Sequence, residues 1–132
     1  MEQLKSIEQL ENDFWESMDF PTPLVEKCFN YRRIPIKDLS IEQVRLLLGQ
    51  SIGVKFLIPK ALEFLQNDIL SEGNLYPGDL LSSVLRLEKI HWEGNDQLKS
   101  EFKELVKRKL IEIKNTGDRK LLKETEIFLN IQ

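Results

Sequence analysis

Gly49-Gln50-Ser51-Ile52-Gly53 sets a serine in the G-x-S-x-G spacing of a hydrolase nucleophile elbow, where small neighbours allow a sharp turn beneath the nucleophile. Acyl transfer by Ser51 would need a base, and His91 is the one histidine, with Asp68 or Asp79 ahead of it in an acceptable order. The context argues otherwise. An elbow follows a buried strand, whereas this segment follows an amphipathic stretch opened by the capping box Ser40-Ile41-Glu42-Gln43, and 132 residues are too few for the usual hydrolase sheet. A glycine turn that ends a helix accounts for the segment. The single cysteine, Cys28, lies far along the chain from His91, so no cluster has zinc-ligand spacing, and its place on an apolar helix face makes it a core thiol. No Walker or dinucleotide glycine pattern is present. The expectation is a protein with no catalytic residues, no metal and no cofactor.

The elements that would position such residues read as helices, because apolar residues recur at helical spacing and period-2 alternation is nearly absent. A first helix is expected from about Leu4 to Trp15. Phe20-Pro21-Thr22-Pro23 then breaks the chain, with Thr22 capping a second helix whose first residue is Pro23. Ser40 opens a third. Pro59 suits the first position of a helix running to Asn67, and a continuous helix from Val54 kinked at Pro59 is the alternative. After an acidic loop, Asp79 is expected to cap a helix from Leu80 to about Glu88. His91-Trp92-Glu93-Gly94 reads as a turn, followed by a long helix from Asn95 to about Lys114 and a last one from Arg119 to Asn130. The expected fold is all-α, a single-domain bundle of about six to seven helices over residues 1–132, with at most a minor hairpin.

Composition bounds the function further. Hydrophobic residues make up 41% and charged residues 31%, the balance of an ordinary folded domain. The longest run without Asp, Glu, Lys or Arg is Leu46 to Val54, far short of the roughly 20 apolar residues of a membrane span. The N-terminus has no basic start and apolar stretch of a secretory signal, and the lone cysteine suits a reducing compartment, so a cytoplasmic location is expected. The net charge of −3 hides blocks of −6 over residues 1–26, +5 over 27–62, −5 over 63–96 and +3 over 97–132. The two acidic blocks would present a negative face to a basic partner, or else form solvated helix faces. The lysines of the long helix are interrupted by Glu101, Glu104 and Glu112, which argues against direct nucleic-acid binding.

Five segments occur in order: Leu10-Glu11-Asn12-Asp13-Phe14-Trp15, Arg32-Arg33-Ile34-Pro35, Leu39 to Gln50, Leu57-Ile58-Pro59-Lys60-Ala61-Leu62, and Tyr76-Pro77-Gly78-Asp79-Leu80-Leu81. Their succession resembles the immunity proteins of contact-dependent growth inhibition (CDI). The resemblance implies a small bacterial protein of the cytosol that binds the toxic C-terminal domain of a neighbouring cell's effector and blocks it without turnover. It assigns no binding residue, and it does not reach the last 40 residues. From charge and loop position, the candidates for toxin contact are Glu16, Asp19, Asp68, Glu72, Glu88 and Glu93, with Trp92 either an aromatic anchor or buried against Trp15 or the long helix. A basic nuclease is the kind of toxin these acids would suit. The alternatives are a regulatory or adaptor module for another protein and a small hydrolase using Ser51 and His91.

Overall fold

The computed structural model describes residues 2–16 and 20–130. It is all-helical, with eight α-helices and no strand among those residues; an isolated bridge between Ser6 and Pro35 is the only β-type pairing there. Local chemistry explains three of the eight starts. Ser6 and Ser40 each close a reciprocal capping box, with Gln9 and Gln43, at the heads of α1 (Ile7–Glu11) and α3 (Ile41–Gly49). Thr22 accepts the Val25 amide at 3.2 Å and Pro23 occupies the first turn of α2 (Pro23–Tyr31), as expected.

The first helix is shorter than the expected Leu4–Trp15. A 3-10 turn covers Glu2–Leu4, α1 starts only after the Ser6 cap, and Asn12 in the left-handed conformation (φ 52°) stops it. In the opposite sense α4 (Val54–Asn67) is longer than a helix begun at Pro59, because Pro59 lies inside it. Burial compensates for the lost hydrogen bond: Val54, Leu57 and Ile58 before the proline and Ala61, Leu62 and Leu65 after it all enter the core. Gly53 stands at the N-cap of this helix with φ 60°, and a Cβ there would stand 2.7 Å from Ile7 Cδ1. The second glycine of the G-x-S-x-G segment is thus explained by packing under α1.

Helix α5 (Asp79–Leu85) is the centre of the structure. All seven of its residues are buried, and α3, α4 and α8 (Arg119–Asn130) pack around it. The expected long helix is divided at Lys109 into α6 (Asp96–Arg108) and α7 (Leu110–Lys114), with no glycine or proline marking the break. Before α6, a 3-10 turn over Lys89–Trp92 carries Trp92 onto Phe102 at 5.8 Å between ring centroids, and Phe128 of α8 stands 5.1 Å from Phe102. These three rings tie the C-terminal helices to the rest.

Candidate interaction surface

Two ion clusters, each built on one buried charge, shape the surface. Arg32, 1% exposed, donates from Nη2 to Glu11 Oε1 at 3.0 Å and to the Asp13 carbonyl at 2.8 Å, and its guanidinium lies 4.2 Å from the Trp15 ring centroid. The chain beyond α1 is thereby drawn over the end of α2. The second cluster gathers Glu42 and Arg45 of α3 with Asp79 of α5. Arg45 donates from Nε and Nη2 to the two oxygens of Glu42, and its Nε is 3.7 Å from Asp79 Oδ2. Glu42 accepts the Asn74 amide at 2.8 Å, while Asp79 accepts those of Gly73 and Leu75 at 2.7 and 3.0 Å. A Cβ on Gly73 would fall 2.5 Å from Glu42 Oε1, so a larger residue there would push that carboxylate out of the cluster.

Asp79 is therefore not the N-cap expected of it. Gly78 stands at that position, Asp79 is the first residue of α5, and its carboxylate is spent on the preceding loop. Arg45 holds the Glu42 carboxyl below the usual carboxylate range by its hydrogen bonds, against the opposing effect of burial, and Glu42 in turn raises Arg45. The product is a fixed loop between α4 and α5 that displays Glu72 and Leu75, the latter 63% exposed.

The acidic candidates fall into separate places. Asp68 and Glu72 share this loop, and Asp68 also accepts the Leu70 amide at 2.9 Å. Glu88 and Glu93 flank the 3-10 turn beyond the other end of α5, and each lines a hollow that His91 also lines. Glu16 is exposed in the stretch before α2 and lines an apolar hollow with Phe20, Val25 and Phe29. Asp19 lies outside the described residues. Trp92 is 4% exposed and stacks on Phe102 of α6, not on Trp15. Its indole is already used by the core.

Ser51 and His91 do line one hollow of about 220 Å³, together with Ser83, Arg86 and Glu88. No hydrogen bond joins them among the described residues, and Ser51 is an exposed residue at φ 57° in the turn that ends α3. A Cβ on Gly49 would meet nothing within 4 Å, so the first glycine of the segment creates no strained elbow. Cys28 is buried in α2, and burial pushes its thiol pKa up, away from the thiolate.

A feature that sequence reasoning missed is a groove of about 730 Å³ between the N-terminal turn, α4 and the start of α6. Leu4, Ile36, Phe56, Pro59 and Leu98 supply its apolar lining, and Lys37 and Lys55 stand on it. Through Lys55 and Asn95 it continues into a smaller hollow lined by Ile90 and Glu93. No local signal marks it, because its lining comes from residues far apart in the chain.

The five sequence segments now have a spatial reading. Arg32 joins the second to the first, the Glu42–Arg45 pair joins the third to the fifth, and Lys60 of the fourth, itself buried, donates to the Lys37 carbonyl at 3.2 Å. A family model for CDI immunity proteins matches residues 9–102, which contain these contacts. The chain belongs to the CDI immunity proteins. That family implies binding and neutralisation of a toxin protein, and its members are generally not enzymes. Neither a curated protein nor a solved structure matches this immunity protein at a significant level. No helix among its described residues is long and apolar enough to cross a membrane.

Proposed function

We propose that this immunity protein binds, one to one, the toxic C-terminal domain of a single cognate CDI effector and blocks its activity in the cytoplasm of the cell that makes both. The family match over residues 9–102 carries the reading. The surface supports it: a loop stapled from behind by Glu42, Arg45 and Asp79 presents Glu72 in a fixed place, so little ordering entropy is lost on binding. Glu16, Asp68, Glu72, Glu88 and Glu93 are exposed at several points of the surface, where they steer a basic partner and set its rate of arrival more than its final affinity. A basic nuclease domain is the toxin class this charge favours.

The test uses the C-terminal toxin domain of the CDI effector taken as cognate. Co-expression with the immunity protein should abolish growth inhibition, and the two should elute together as a one-to-one complex. Persisting growth inhibition without a complex would overturn the reading. Within a complex that does form, joint reversal of Glu72 and Glu93 to lysine should slow association, and rising salt should slow the wild-type rate.

A further inference from the structure

We infer that the groove between the N-terminal turn, α4 and α6 seats an apolar segment of the toxin domain, one that carries a carboxylate opposite Lys37 and Lys55 and a basic side chain opposite Glu93; this rests on the reading of the chain as a toxin-binding protein. Size comes first. At about 730 Å³ the groove lies within the roughly 300–1,000 Å³ range of sites that engulf a ligand, large enough for several side chains. Leu4 and Ile90, at 59% and 66% exposed, are two of the large apolar side chains left uncovered, and they mark the groove and its continuation. Burying such side chains contributes far more than a scattered exposed leucine would suggest, because they adjoin an apolar trough and not open water.

Charge selects the occupant. Lys37 and Lys55 are both exposed, and Lys55 Nζ lies 5.6 Å from the ring centroid of Phe56, which also lines the groove. Lys37 is shared with its neighbour Asp38 at 3.0 Å, which leaves Lys55 as the stronger attraction for a carboxylate. Glu93 brings the opposite sign in the smaller hollow, where Lys55 stands at the junction with the groove and Lys37 lines the groove alone. A segment with its acid toward Lys37 and Lys55 and its base in the Glu93 hollow is favoured over one with these charges exchanged.

The experiment takes the 132-residue chain with the purified toxin domain of the effector taken as cognate, measuring affinity together with backbone hydrogen exchange. Lys55→Glu and Ile90→Glu, both at exposed positions, should each weaken the complex at least tenfold while far-UV circular dichroism stays that of the wild type. Toxin binding should also slow exchange over residues 54–58 and 88–95. The exchange measurement on unmodified protein keeps the test decisive should either variant fold poorly. A tight complex indifferent to both substitutions, or protection confined to residues 68–76, would overturn the groove and leave the immunity reading standing. Self-association of the protein that Lys55→Glu abolishes would assign the groove to a second copy and overturn the toxin segment. Absence of any complex with wild-type protein would overturn both readings together.

Discussion

Asp79 shows how one carboxylate can organise a loop from inside a helix. It is buried, it holds two loop amides, and Arg45 stands against it. Asp79→Ala should cost about 3 kcal/mol or more, since two hydrogen bonds to a charged group are lost at about 1.5–3 kcal/mol each. That exceeds the loss of a helix cap, which lies near 1 kcal/mol. Denaturant midpoints would measure it, and faster amide exchange at Gly73 and Leu75 would locate it. Glu42 makes a prediction about acid. Its folded pKa is lowered chiefly by the Arg45 hydrogen bonds, so its contribution is full above the unfolded value of about 4.3 and is lost as pH falls through the lower folded value. Glu42→Gln should therefore lose stability at neutral pH and show a shallower decline than wild type in that acid window, as read from urea titrations at a series of pH values.

Among elements, α4 carries the clearest test. Pro59 interrupts its hydrogen bonding at an exposed position, and a proline inside a helix costs about 3 kcal/mol relative to alanine. Pro59→Ala should raise the thermal midpoint, by less than that full penalty because the structure has adapted to the ring; an unchanged or lower midpoint would mean that the ring's packing outweighs the bond it removes. The same helix shows where the sequence can be read and where it cannot. Local signals suffice at Thr22, Pro23 and Ser40, and the apolar stripe alone places the last helix, Arg119–Asn130. Pro59 is ambiguous because its ring suits a first turn as well as a kink, and the choice depends on Val54, Leu57 and Ile58 finding a core to enter. Asp79 misleads because a carboxylate before an apolar run is the mark of a cap, and only tertiary packing brings Arg45 and the Gly73 and Leu75 amides to it. The groove is hidden for the same reason: Leu4, Phe56 and Leu98 are distant in the chain and share a wall only once folded.

At the scale of the whole molecule, the family match and the fold have different ends. The match stops at residue 102, yet α8 covers the central helix, with Leu121, Thr125 and Phe128 buried and Ser82 of α5 donating to Glu124 at 2.7 Å. A chain cut after Lys114 would expose α5 and remove Phe128 from the Trp92–Phe102 pair. It should lose near-UV circular dichroism, keep much of its helical signal and be cleaved readily by protease, the behaviour of a compact state without fixed packing. Native-like near-UV signal in the truncated chain would show that the core holds without α8.

Cys28, closed off within α2 and disinclined to ionise, leaves the molecule without a competing reactive thiol. A cysteine introduced at Glu72, or at the exposed Lys5 beside the groove-lining Leu4, would be the preferred site for a maleimide dye, and the native cysteine need not be replaced first. One label on the acidic loop and another, in a separate preparation, beside the groove would report fluorescence changes as the toxin domain docks. The buried sulfur thus makes this small protein ready for site-specific spectroscopy, in which the order of events at two surfaces can be timed.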